Sequence, residues 1–273
     1  MNIEFHIDCD GQLEILEENS GTKAPKDARQ VITGRRQQNQ MELHLQDDAG
    51  WVALLRLIDF LRAIKDVPTT IYFHDSTSQN DQHIKPPKSY DDKADLFLYL
   101  GRLCLFSFEK TEENEFASHL SIFPSIVNVS DSLPFLFLNL GQIAHRNEPT
   151  KQALQKIDPD IWKYCSLFTL DPNHSCKPED IAEICAYPEQ LHTLEYAELM
   201  QTAYGKWIDL VGRISLSVRQ PLLQFGSIKD KSSKYDEMVF YRAIIPFASI
   251  YERPQNFRIM ILSYFPQQEI WGL

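Results

Sequence analysis

Side chains able to do chemistry fall into a few separated groups along this chain. Asp8, Asp10 and Gly11 resemble the opening of a calcium loop. The further ligands and the closing glutamate are missing at the spacing such a loop needs, so a hairpin turn is the expected role. His74 and Asp75 end a β-branched, aromatic run, and strand ends are where catalytic groups gather in α/β proteins. No nucleophile in a recognisable turn accompanies them. His174, Cys176 and Cys185, with Cys165 and His192 near in sequence, are metal-competent. Zinc needs four such ligands converging tetrahedrally, and these match no pair-of-pairs spacing. Cys185 also sits among Ile181, Ile184 and Ala186 as on an apolar helix face, so buried structural cysteine is the expected role. There is no Gly-x-Ser-x-Gly and no phosphate-cradling loop, and with only 10 glycines a backbone-lined phosphate site is disfavoured.

The elements that would position these groups follow from periodicity. Ile3 to Ile7 alternates, Asp8 to Gly11 supplies turn chemistry and Leu13 to Leu16 resumes, which predicts a β-hairpin. Met41 to Leu45 alternates again. Asp47 or Asp48 can cap a helix with apolar positions Trp51, Leu54, Leu55, Ile58, Leu61 and Ile64, followed by Pro68 and a strand from Thr69 to Phe73. That spacing suits a βαβ unit or a mixed sheet. Ser76 to Asp92, with Pro86 and Pro87, is expected to be a long exposed loop. Leu96 to Phe108 and Leu133 to Ala144 are apolar but too short to span a membrane, and read as core. Polar Arg146 to Lys156, containing Pro149, sets the expected domain boundary, giving domains 1–150 and 151–273.

In the last third, apolar residues from Leu191 to Val218 recur at steps of three and four, predicting a core-facing helix from about Thr193 into the Ile214 region. It must stop by Pro221. Strands are expected from Pro221 to Ile228, Met238 to Phe247 and Phe257 to Phe265, with Lys229 to Lys234 and Tyr251 to Asn256 as turns. Pro246 is expected to end or bulge the second of these. The fold class is therefore α+β: a mixed sheet with amphipathic helices, then a helix against an antiparallel meander.

The order helix, Arg219-Gln220-Pro221-Leu222, strand, turn, Phe240-Tyr241-Arg242-Ala243-Ile244-Ile245-Pro246-Phe247, loop, Phe257-Arg258-Ile259-Met260-Ile261-Leu262 resembles the end of a PAS-type sensor domain. The resemblance implies a PAS-like C-terminal module that binds a small molecule or a protein partner, with homodimerisation as one mode of assembly. Alternate side chains of the central strand would then face a small cavity or a partner, which makes Trp207, Tyr241 and Arg242 the expected ligand contacts. The plainer alternative is that Trp207 is core and Arg242 a solvated or salt-bridged strand residue. No flavin-binding cysteine motif or haem-ligand histidine can be placed, so no cofactor is identifiable.

A net charge of −11 argues against a nucleic-acid binder and against docking on anionic lipid. Five cysteines in no regular framework, and a start lacking a signal peptide's basic and apolar regions, point to reduced thiols in the cytoplasm. The expected function is a non-enzymatic regulatory or signal-sensing protein. Two alternatives stay open: an acidic inhibitor or immunity-type protein that masks a basic partner, and an enzyme whose site is assembled from dispersed residues.

Overall fold

The computed structural model describes residues 3–16, 30–75, 83–111, 116–122, 165–170, 176–181, 201–228, 238–247 and 258–264. The fold is α+β, with three helices and two six-stranded sheets among the described residues. The chain divides into two compact units, Met1–Phe108 and Glu109–Leu273. The boundary expected near residue 150 lies outside the described residues.

The first unit holds strands β1 (Ile3–Asp8), β2 (Leu13–Leu16), β3 (Gln30–Gln37), β4 (Gln40–Gln46), β5 (Thr69–His74) and β6 (His83–Tyr90), in the order β2-β1-β3-β4-β5-β6. Alternation sends Phe5, Ile7, Met41, Leu43, Leu45, Ile71 and Phe73 into the core. Helix α1 (Trp51–Ala63) buries Ala53, Leu54, Leu57, Ile58 and Leu61, spaced for one face. It lies against β1, with the rings of Phe5 and Phe60 4.5 Å apart. α1 also connects β4 to β5, the sheet's parallel pair, so the βαβ unit and the mixed sheet are both present. The expected aspartate cap is not used. Gly50 is the N-cap without a side-chain bond, and the Asp47 amide donates to the His74 carbonyl. Asp92 does cap α2 (Lys93–Thr111), accepting from the amides of Ala94 and Asp95.

Two strands depart from the sequence reading. β3 was not foreseen, since its Gly34 and Arg35-Arg36 dilute the apolar signal. Gly34 is required there: a Cβ would lie 2.1 Å from the Phe5 ring, so the glycine is where that core ring crosses the strand. β6 occupies part of the stretch expected to be loop. It is an edge strand, the one setting in a sheet where Pro86 and Pro87 can be accommodated without breaking a two-sided ladder.

The second unit holds β7 (Phe116–Ile122), β8 (Cys165–Leu170), β9 (Cys176–Ile181), β10 (Leu222–Ile228), β11 (Met238–Phe247) and β12 (Arg258–Tyr264), in the order β7-β10-β11-β12-β8-β9, with every pairing antiparallel. The expected meander is β10-β11-β12. Helix α3 (Ala203–Val218) starts at Thr202, whose hydroxyl accepts from the Gly205 amide, and ends at Arg219 in the left-handed region with φ 59°. It stops two residues ahead of Pro221, as proline geometry demands. β11 runs through Pro246 instead of ending there. The ladder to β10 has already closed at Ile244↔Leu222, so the proline lies where β11 is paired on the β12 side only. Lys229 to Lys234, Tyr251 to Asn256 and the helix's expected start near Thr193 lie outside the described residues.

Candidate functional site

In the second unit, polar side chains gather between α3 and the sheet. Strand register sets them up. Gln224 on β10 is directly opposite Arg242 on β11, and on its other side faces Leu120 on β7. Ser118 is two residues further along β7, opposite Gly226. A Cβ on Gly226 would stand 2.1 Å from the Ala117 carbonyl oxygen, so glycine is what lets β7 close in at this level. Glu109, in the last turn of α2, completes the group.

The hydrogen bonds run in one direction. Arg242 Nη1 donates to Gln224 Oε1 at 3.0 Å, Gln224 Nε2 donates to Ser118 Oγ at 2.9 Å, and Ser118 Oγ donates to Glu109 Oε1. Each relay residue accepts from the cationic side and donates toward the carboxyl, so the dipoles bridge two groups of opposite formal charge. Glu109 also accepts from the Ser118 amide and from Trp207 Nε1, both at 3.2 Å. Trp207, Gln224 and Arg242 are fully buried and Glu109 is 6% exposed. Burial holds the Glu109 carboxyl above its ordinary value, while its bonds to Ser118 and Trp207 pull it partly back. Arg242 Cζ is 5.0 Å from the Trp207 ring centre and 4.9 Å from that of Phe240, and the two rings meet edge to face at 5.3 Å. Two aromatic faces and the polarised chain together offset the cost of taking a guanidinium out of water.

The sheet pleat separates the three expected ligand contacts. Trp207 and Arg242 come together. Tyr241, one residue from Arg242, belongs to the opposite sheet face, half-buried, opposite Phe225 and Tyr264. Arg242 is fully buried, and its Nη1 donates to the Gln224 side-chain oxygen.

The first unit carries a second polar cluster. His44 Nδ1 and His74 Nε2 are 2.8 Å apart, so one donates and the other accepts. Tyr72 stacks on His44, with ring centres 4.8 Å apart and planes 11° off parallel. His44 and Tyr72 are register partners across the parallel β4–β5 pair, and His74 ends β5. This is the carboxyl end of the βαβ strands, where ligands bind in open α/β sheets. Asp75 follows, half-buried.

Comparisons with family models, curated proteins and solved structures give no match to this chain.

The remaining candidates resolve simply. Asp8 Oδ1 accepts from the amides of Asp10 and Gln12, and Gly11 has φ +78°, so the hairpin turn uses the aspartate that a calcium loop would need. Cys176 opens β9, whereas His174, Cys185 and His192 lie outside the described residues. Among the described residues no three His, Cys, Asp or Glu side chains are gathered for a metal ion, and no helix is long and apolar enough to cross a membrane. Buried Cys104 donates to the Trp51 carbonyl at 3.2 Å, and burial pushes its thiol up, away from thiolate chemistry.

Sequence reasoning missed Glu109, Ser118, Gln224 and the partnership of His44 with His74. Gln224 left one trace, a lone amide inside the apolar run Leu222-Leu223-Gln224-Phe225. Glu109 directly follows the mostly apolar run from Leu96 to Phe108. Neither signal names its partner, which lies on another strand or helix.

Proposed function

We propose that this chain is a non-enzymatic, cytoplasmic regulatory protein whose second unit is a PAS-like sensing module. One observation carries the reading. Taken as first to fifth in chain order, β8 to β12 lie side by side as 2-1-5-4-3, with α3 in the connection between the second and third strands. That is the strand order of a PAS-type sheet, and it involves the same helix and meander whose residues carry the resemblance. β7 is an addition on the outer edge of β10.

Trp207 of α3 and Phe240 and Arg242 of β11 meet on one sheet face. This is the helix-covered face on which a sensor of this type would register its signal. A small anionic ligand would enter by replacing Gln224 as the acceptor for Arg242 and displacing the Trp207 indole. Release of the Trp207 bond to Glu109 would then pass the change along the polar chain. A protein partner would use the opposite face, where Tyr241 lies.

Native mass spectrometry of gently purified protein, beside the same sample after denaturation, tests the reading. A bound small molecule lost on denaturation, and absent from an Arg242→Met variant that still folds, is the expected result. A ligand-free spectrum, with no mass gained from a library of small carboxylates, would overturn ligand sensing by this module. The same spectrum reads the monomer–dimer state.

A further inference from the structure

We propose that Glu109 is a proton-operated latch on Trp207: uptake of one proton by its carboxyl loosens the indole from the polar chain. The inference goes beyond ligand sensing by the second unit. It needs no ligand, only the bonds already described, so either can fail without the other.

The bonding at Glu109 is that of an ionised carboxylate. Three donors converge on its two oxygens: the Ser118 hydroxyl and Trp207 Nε1 on Oε1, and the Ser118 amide on Oε2. An ionised carboxylate only accepts, so all three bonds suit it. A protonated one must also donate, and its neighbours differ in what they can take. Neither an indole nitrogen nor a backbone amide nitrogen accepts. A proton on Oε2 would therefore point at the Ser118 amide donor. On Oε1 it meets Ser118 Oγ, the one of the three groups with lone pairs to receive it. The hydroxyl then accepts from both Gln224 Nε2 and Glu109, and turns its own proton away. Trp207 is left with a neutral hydroxyl oxygen in place of a charged one. Charge-assisted hydrogen bonds are roughly twice as strong as neutral ones, so the indole bond weakens.

The surroundings set the terms of the switch. Burial favours the neutral carboxyl and brings it in at a higher pH, while the bonds from Ser118 and Trp207 favour the charged one. Among the described residues, Arg242 of β11 is the charged group joined to Glu109, through Gln224 of β10 and Ser118 of β7. The other titratable groups nearby on these elements are turned elsewhere. Lys110 of α2 and Lys206 of α3 are exposed, Asp209 of α3 pairs with Arg213 at 2.8 Å, and exposed His119 of β7 lies against the Phe225 ring. Tyr241 of β11 is on the opposite sheet face. The effect of the proton passes directly to Arg242, because its guanidinium rests 5.0 Å from the Trp207 ring centre. Loosening the indole weakens one of the two aromatic contacts that help to hold that charge out of water.

NMR of the full-length protein, isotope-labelled at the tryptophan indole nitrogens and followed across pH, tests this. The chain has four tryptophans, and the resonance lost in Trp207→Phe is that of Trp207. The expected result is an upfield shift of its N–H proton on acidification, in a single step centred above 4.5, the ordinary value for Glu109. In Glu109→Gln the Trp207 resonance should hold one position over the same range. Ser118→Ala removes a bond that favours the carboxylate, so it should move the midpoint to higher pH. That variant carries the test if Glu109→Gln does not fold, and circular dichroism checks each protein through the range. The proposal is overturned by a Trp207 resonance that stays still while the protein remains folded. It is equally overturned by one that moves alike in Glu109→Gln, or whose midpoint Ser118→Ala leaves in place. A bound small molecule found without this titration would leave the sensing reading standing and remove the latch.

Discussion

The two polar clusters solve the same problem in opposite ways. In the second unit, Arg242 and Glu109 are sealed from water, and each polar atom of the chain between them has a directed partner. In the first, His44 and His74 rest at a strand end where His74 is buried, His44 is only part-buried and both partners are neutral-capable bases. A sealed cluster makes every member dependent on every other, because an orphaned buried polar group has no water to turn to. A cluster only part-buried can exchange a lost partner for solvent. The first arrangement should be costly to break and the second cheap to break, and the contrast can be measured.

The largest effect should come from the cationic end. Arg242→Ala removes the guanidinium from between Trp207 and Phe240, leaves the Gln224 carbonyl unpaired and opens a cavity. Truncating one partner of a buried charge arrangement costs about 3–5 kcal/mol. Urea unfolding should show a loss of that size. A loss below about 1 kcal/mol would mean that Arg242 is easily replaced by water, and the sealed description of this cluster would fail.

The carboxyl end should cost less. Glu109→Gln keeps the shape but sets an amide NH2 against one of the Ser118 or Trp207 donors, a mismatch worth about 1–3 kcal/mol. It should also change the pH dependence. Unfolded, Glu109 titrates at its ordinary value of 4.5; folded, burial holds the proton to higher pH. Between the two values the native state retains a proton that the unfolded state has released, so stability falls as pH rises. The contribution is fully present below 4.5 and is lost as pH rises through the raised value. The Gln variant should lack this component when unfolding is followed across that window. Equal slopes in both proteins would place Glu109 outside the set of groups that titrate on folding.

What could be read from the sequence divides along the same lines. Elements announced by local periodicity were legible: the β1–β2 hairpin, α1, and the β10-β11-β12 meander all lie where apolar spacing puts them. β3 was not, because Gly34 answers to the Phe5 ring on another strand and not to its own neighbours. β6 was hidden by two prolines that only its edge position excuses. Within the candidate site, Trp207 and Arg242 stood out as an aromatic on a helix face and a charge inside an apolar strand. Tyr241 was expected through the same strand's alternation, and the pleat puts it on the face opposite Arg242. Glu109 bonds Trp207 across 98 residues and Gln224 bonds Ser118 across 106. Contacts at that separation are set by strand register, which no local pattern states.

The smallest effect should be at the half-open cluster, and it is the sharpest test of the comparison. His44→Ala deletes the hydrogen bond to His74 and the stacking on Tyr72, at a side chain that is only part-buried. A typical intramolecular hydrogen bond is worth about 0.5–1.5 kcal/mol net, and solvent replacement brings the cost toward the lower end. Measured under the same conditions as Arg242→Ala, the expected loss is therefore under about 1 kcal/mol. If His44→Ala instead unfolds the protein as readily as Arg242→Ala, the histidines are a structural clamp. The strand end would then be closed in the same sense as the core of the second unit, and the contrast between the two clusters would be one of composition alone.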